Sequence, residues 1–324
     1  MATRGLAYSQ YSAWGSEPSS YTSLPITDFS FNVTRNLIAE KSMNVSGEPK
    51  IYGGTYGVTG SLSAAYRPDS FATIISHGLL SKTSWTTGTA SGIGDFAETT
   101  NGYKNFFNIA CGDEYGNISA FASCAFTSCE LSLKAGEMGK VSFNWVGVKK
   151  AGSPPASLST PSYSSDIPIF YNATLTIGGA LAKVTGLTIK VNRPLSADDF
   201  VLGSEYTQSV IQSDSCTVEG TINLSNKEYA KIESAITTGD EVNWDNLSAA
   251  KTNTVNLGAV SIQFNNPAGT GTALGGIYIT KMMLSTADVS VSGRQRFEKT
   301  LNFRCETTDT TGISWNFTGT APTS

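Results

Sequence analysis

Three blocks of this chain occur twice. The segment FSFNVTR (Phe29–Arg35) returns as LTIKVNR (Leu187–Arg193), displaced by 187 − 29 = 158 residues. YGVTGSLS (Tyr56–Ser63) returns as CTVEGTIN (Cys216–Asn223), displaced by 160, and ELSLKAGEMGKVSFNW (Glu130–Trp145) returns as DVSVSGRQRFEKTLNF (Asp288–Phe303), displaced by 158. Blocks in one order at nearly one displacement point to an internal duplication. Each copy keeps its apolar alternation, so both copies direct matching side chains to the same sheet face. At 324 residues the chain has room for two units of ordinary domain size, each with its own core.

The repeated blocks read as strands. Leu131, Leu133, Val141, Phe143 and Trp145 fall on one face around the turn KAGEMG, and Val289, Val291, Leu301 and Phe303 repeat this around SGRQRF. Each copy also carries one short stretch at helical spacing. Asp69 or Ser70 is expected to cap a helix bearing Phe71, Ile74 and Ile75, and Asn226 one bearing Tyr229, Ile232 and Ile236. The Pro/Ser-rich run AGSPPASLSTPSYSSD is the clearest boundary. The expected layout is an N-terminal arm at 1–25, a first module at 26–150, a linker at 151–166, a second module at 167–308 and a tail at 309–324. The fold class is therefore all-β with minor α: two tandem β-sandwich modules, each with one short flanking helix.

Residue chemistry argues against an enzyme. His77 is the one histidine, so His-pair metal sites are excluded and at most one imidazole base remains. There is no GxSxG elbow, and GGTYGVTG (Gly53–Gly60) lacks the Lys-Ser/Thr of a phosphate-binding loop. The neighbouring acids Asp113–Glu114 and Asp198–Asp199 have no further oxygen ligands at fixed spacing and read as solvated loop acids. The five cysteines form no CxxC pair and read as free thiols. No catalytic, cofactor or metal residue is assigned. The N-terminal residues lack an apolar core, so no secretory signal is expected, and no apolar run is long enough to span a bilayer. A net charge of −4 disfavours a surface that grips phosphates.

The run YGVTGSLSAAYRPDSF (Tyr56–Phe71) resembles the tail tube proteins of tailed bacteriophages, in which a VxGSLS-like strand leads into a capping helix. The resemblance continues through CELSLKAGEMGKVSFNWVG and through LTIKVNRPLSADDFVLGSEYTQSVIQSDSCTVEGTINL, in family order. It implies a virion protein of the phage tail, assembled in the host bacterial cytoplasm, whose subunits form stacked rings around a channel. The implied partners are other copies of the chain, a tape-measure protein and the passing double-stranded DNA in the lumen, with room for an enclosing sheath; no membrane or cofactor is implied. Related tubes use six single-module subunits per ring, so two modules per chain favour a trimeric ring of pseudo-sixfold symmetry over a hexamer.

Within that resemblance, Glu130 and Asp288 align across the repeat and lie opposite the core face, which makes them lumen candidates; an outer-surface position or an intersubunit salt bridge stays equally open. The connections Ile38–Gly54 and Leu195–Ser213 are long for β loops, and long loops are commonly functional. Ser42, Asn44, Glu48, Asp198, Asp199 and Glu205 are the residues expected there to touch a neighbouring ring or subunit. The composition fits a second class equally well, a virion decoration protein or host-binding adhesin-like β-sandwich, which would stay discrete where a tube protein polymerises.

Overall fold

The computed structural model describes residues 5–10, 20–40, 47, 50–81, 88–96, 105–150, 154–161, 166–177, 180–182, 184–225, 259–267, 273–290 and 298–317. The first half of the chain supplies β1 (Gly5–Gln10), β2 (Thr22–Leu24), β3 (Asp28–Ala39), β4 (Ile51–Ala65), β5 (Thr89–Ser91), β6 (Phe107–Gly112), β7 (Ile118–Lys134), β8 (Lys140–Gly147) and β9 (Lys149–Lys150). The second supplies β10 (Ala173–Ile177), β11 (Ala180–Ala182), β12 (Val184–Asn192), β13 (Leu195–Ser196), β14 (Ile211–Gln212), β15 (Thr217–Ser225), β16 (Val260–Asn265), β17 (Ala273–Ile279), β18 (Met282–Ser290), β19 (Glu298–Cys305) and β20 (Ile313–Asn316). The fold is all-β with minor α.

Eight strands make one continuous antiparallel sheet in the order β3-β4-β8-β7-β12-β15-β19-β18. Its two four-strand halves are paired alike, down to the register. Phe29 opposite Leu62 matches Leu187 opposite Ile222, and Leu62 opposite Phe143 matches Ile222 opposite Leu301. A β-bulge falls between Phe126 and Ser128 on β7, and another between Leu284 and Thr286 on β18, at positions related by the displacement of the sequence repeat. Bulges re-aim a strand and are specified locally, so their recurrence at one repeat position extends the likeness to backbone geometry.

Alternation divides this sheet into two faces. One carries Leu62, Phe143, Trp145, Leu131, Ile189, Val218, Ile222, Leu301 and Phe303, all buried. A six-stranded sheet, β11-β10-β16-β17-β20-β5, joins the same core with Leu175, Ile262, Phe264, Ile277 and Trp315. The Trp315 indole N–H donates to the Tyr66 hydroxyl at 2.8 Å, so a polar contact is satisfied between the layers. Each fully buried large apolar side chain contributes about 1.5–3 kcal/mol relative to exposure, which makes this shared face the main source of stability.

Helix α1 (Pro68–Thr73) starts at Pro68, whose fixed φ and missing N–H suit the first helical turn, and not at a side-chain cap from Asp69 or Ser70 as expected. It runs on through Ile74–Leu79 with wider turns, closed by the Leu80 N–H to the Ile75 carbonyl at 2.9 Å. Phe71, Ile74 and Ile75 are buried as their spacing predicts, and Phe71 stacks on Phe143 at 5.5 Å between centroids. The expected second helix from Asn226 lies outside the described residues.

Strand β7 serves two neighbourhoods. Its N-terminal part pairs with β6 and β9, its C-terminal part with β8 and β12. Between them Ser123 takes φ 54°, and its N–H donates to the Asn108 side-chain oxygen at 2.9 Å. A buried amide thus holds the strand at a left-handed kink that an L-residue rarely adopts.

Several expected boundaries fall differently. Residues 5–10, placed in an extended arm, form β1 between β6 and β2 with Leu6 and Ala7 buried; a six-residue strand among Ser and Gly is too short to show its period. Residues 313–316, placed in a polar tail, form β20 between β17 and β5, buried on both faces, with Ser314 and Ser91 hydroxyls 2.9 Å apart. In the expected linker Leu158 packs on Ala7, Ala110 and Ala120, and the β7·β12 ladder carries the sheet straight across this boundary. The 38–54 connection is shorter than expected, since β3 and β4 pair out to Ala39 opposite Ile51.

Candidate functional surface: the polar face and the open edges of the long sheet

The second face of the eight-stranded sheet is a field of hydroxyls and amides. Ser30 and Ser61 hydroxyls meet at 2.8 Å, the Asn144 side-chain N–H donates to Ser128 Oγ at 2.9 Å, and Thr300 Oγ1 donates to Asn223 Oδ1 at 3.0 Å. Strand alternation places these groups here, because every second residue of each core strand must face away from the core.

One transverse row crosses all eight strands without meeting a bulge: Asp28, Ser63, Ser142, Glu130, Lys190, Glu219, Arg304 and Met283, each opposite the next. Its charges alternate from Glu130 to Arg304, and Lys190 Nζ lies 3.9 Å from Glu219 Oε1 with both side chains about half exposed. Opposite charges on adjacent strands attract modestly and compensate one another from Glu130 to Arg304, so that Asp28 alone leaves the row slightly acidic.

Glu130 thus sits on the polar face as its alternation predicts, exposed and opposite Lys190. Asp288 holds the matching strand position on β18, opposite Thr300, with its side chain outside the described residues. The two do not meet, because β12, β15 and β19 separate their strands. Lys190, Glu219 and Arg304 were missed by the sequence reading, although their spacing against the core residues Ile189, Val218 and Phe303 marks them as outward-facing.

Ser42, Asn44 and Glu48 lie outside the described residues. The 195–213 segment folds onto its own chain: Ser209 Oγ donates to Asp199 Oδ2 at 2.6 Å, and the Tyr56 N–H donates to the Glu205 carbonyl at 2.8 Å. Glu205 Oε2 also accepts from Arg35 at 2.6 Å, tying this segment to the β3–β4 arm. The Glu205 carboxylate hydrogen-bonds Tyr206 and pushes its phenol above the ordinary range. Asp198 is exposed.

Arg193 is a residue the sequence did not flag. Fully buried, it donates to the Leu79 carbonyl at 2.8 Å, Gln212 Oε1 at 2.6 Å and the Gly94 carbonyl at 3.1 Å, and lies 5.8 Å from the Phe96 ring centroid. Desolvation lowers its pKa, with Cys216 and Asp95 opposing. Three chain segments are clamped by one guanidinium, which suits its fixed fork of donors.

The acid pair Asp113–Glu114 also proves local. The Asp113 carboxylate accepts from the Asn117 side chain and the Tyr115 and Asn117 N–H groups at 2.8–2.9 Å, closing the β6–β7 turn and lowering its pKa, with the Asn117 side chain the largest cause. Among the described residues no group of three or more His, Cys, Asp or Glu is placed to hold a metal ion, and no helix is long and apolar enough to cross a membrane.

Among the described residues both ends of the long sheet are open: β3 pairs only with β4, and β18 only with β19. Phe31 and Val33 on β3 are 40% and 41% exposed, and the β3–β4 arm adds Leu37, Ile38, Ile51 and Tyr52, all more than half exposed. An unpaired, apolar edge is a template for another strand. A family model described as phage tail tube protein matches residues 79–305, more than half of the chain. The chain belongs to the phage tail tube protein family. No curated protein matches it. A phage tail tube protein is a structural component of the virion tail, so the polar face and the open edges are what remains to be explained. The matched span takes in the second half of the long sheet through β19 together with β7 and β8, and so includes the β7·β12 junction.

Proposed function

We propose that this tail tube protein is the self-assembling wall subunit of the tail channel and performs no catalysis. Each four-strand half acts as one tube module, three chains form a ring of six modules, and rings stack. The observation that carries the reading is a long sheet with a polar face of hydroxyls, amides and alternating charges, an apolar face sealed in the core, and, among the described residues, an unpaired strand at each end.

A channel for genome delivery has to let DNA slide. Phosphate contacts give binding that is strong and salt-dependent, so a wall with alternating, self-compensating charges serves passage better than a basic one. We propose that this face lines the lumen, with Glu130 and Asp288 on it, and that a tape-measure protein fills the lumen before DNA does. The arm around Ile38 and Tyr52 and the exposed tip at Val201 and Leu202 are proposed as contacts with the next ring or with a sheath, with assembly in the host bacterial cytoplasm.

Negative-stain electron microscopy of the purified chain, with symmetry determination, tests the reading. Rings or tubes with a central hole and three copies per ring are expected. Sixfold density for whole chains would remove the trimer, and discrete particles without a hole would favour the decoration-protein or adhesin reading instead.

A further inference from the structure

The chain contains a template for its own polymerisation. Inside the subunit, the last strand of the first half, β7, pairs with the first strand of the second half, β12: Lys190 opposes Glu130, Ile189 opposes Leu131 and Val191 opposes Cys129. The repeat equivalents of β7 and β12 are β18 and β3, the two edges that are open among the described residues. We infer that β18 of one copy pairs with β3 of the next in the register of the internal β7·β12 junction, so that Asn32 stands opposite Asp288, Phe31 opposite Val289 and Val33 opposite Ala287. This rests on the tube reading above and names the contact that would close its rings.

Burial supports the match. At the internal junction Ile189 and Val191 are 1% and 0% exposed, whereas their equivalents Phe31 and Val33 at the open edge are 40% and 41% exposed. The same positions are apolar in both copies, and only the one lacking a neighbouring strand leaves them in water. Polar positions agree too: Asn32 takes the place of Lys190, opposite an acid in either case.

The register also fixes the curvature of the wall. Stepping across the ladders from Asp28 through Ser63, Ser142 and Glu130 leads to Lys190, the repeat equivalent of Asn32. Each four-strand unit therefore advances the strands by four residues. A barrel whose stagger equals its strand number has strands tilted about 36°. For six units, a strand spacing of about 4.8 Å gives a backbone diameter of roughly 45 Å, and allowing about 5 Å of side chain at each wall leaves a bore of roughly 35 Å. That bore admits a DNA duplex.

The test is a cysteine pair, Asn32→Cys with Asp288→Cys, oxidised after assembly and resolved on a non-reducing gel. The in-register pair is expected to give covalent dimers and trimers in at least tenfold excess over the shifted pair Val33→Cys with Asp288→Cys and over the parent with its native cysteines. Tubes that cross-link equally through both pairs, or through neither, would overturn the register while leaving the tube reading standing. A parent protein that forms no rings under the microscope would overturn that reading and this one with it. As a second measurement, Asn32→Asp sets like charges across the joint and is expected to weaken ring formation severalfold, with Asp288→Lys restoring it; an effect that Asp288→Lys leaves unchanged would count against the pairing.

Discussion

Trp145 lies directly across the β4–β8 ladder from Gly60, with its indole in the space a Cβ at Gly60 would need. The second half repeats the arrangement with Phe303 over Gly220, where a Cβ would come within 2.6 Å of Phe303 Cζ and would also overlap the Thr188 carbonyl oxygen. Gly60→Ala is expected to lower subunit stability by about 1–3 kcal/mol through overpacking against a rigid ring. Gly220→Ala should cost more, because a backbone oxygen yields less readily than a side chain. Urea unfolding of the two variants against the parent reads both effects.

Arg193 and Arg35 occupy one repeat position and have opposite fates. Arg35 is half exposed and holds Glu205, while Arg193 is buried and feeds three acceptors. Arg193→Lys keeps the charge but cannot reach all three, so it is expected to destabilise the chain by about 3 kcal/mol or more, as a buried charge left poorly paired does. Arg35→Lys should change stability by under about 1 kcal/mol, in line with exposed ion pairs. Equal losses at the two positions in thermal melts would refute the distinction.

That pair shows how far the sequence could be read. The repeat displacement and the alternation within each block located the eight strands and their two faces, because period and burial are coupled by the pleat. Phe71, Ile74 and Ile75 were legible for the same reason. What was not legible depends on neighbours supplied by distant segments. Arg193 and Arg35 end heptapeptides of the same alternation, and the packing of Leu79, Gly94 and Gln212 buries one of them. Likewise β20 looks polar in sequence, yet β17 and β5 flank it on both sides and Ser91 satisfies Ser314, so it is buried.

The buried thiols set the alkaline limit. Burial pushes Cys111 and Cys305 up from 9.0 to about 12, and Cys124 and Cys129 are raised by burial as well. Below pH 9 these groups are protonated whether the chain is folded or not, so their contribution is fully present. Above it the unfolded chain releases protons that the native state keeps, so stability falls, by up to about 1.4 kcal/mol per pH unit for each such thiol. Urea midpoints should be flat near neutral pH and fall from pH 9 towards 11. A midpoint that rises over that interval would contradict the assignment.

Ile38 and Tyr52 face each other on the β3–β4 arm at 56% and 53% exposure. Charging an exposed position removes little native packing, so Ile38→Asp with Tyr52→Asp is expected to leave the thermal midpoint of the subunit within a few degrees of the parent. If the arm makes the ring-to-ring contact, the same variant should stop at single rings. Long tubes in micrographs of this variant would show that stacking does not use the arm.

Glu130 offers the most direct reading of which face is the lumen. It is exposed in the isolated subunit and stands opposite Lys190 near the centre of the row of alternating charges. A cysteine there is accessible in a monomer to small and large maleimides alike. In a closed tube, a small maleimide still diffuses along the bore while a reagent carried on a particle wider than the bore is excluded. Glu130→Cys should therefore lose labelling by the large reagent on assembly and keep labelling by the small one. The comparison position is Tyr115→Cys, which lies 80% exposed on the β6–β7 turn and tests whether loss of labelling is specific to the sheet face. Undiminished labelling of Glu130→Cys by the large reagent in intact tubes would place the polar face outside, and the row of alternating charges would then be an outer coat instead of a channel wall.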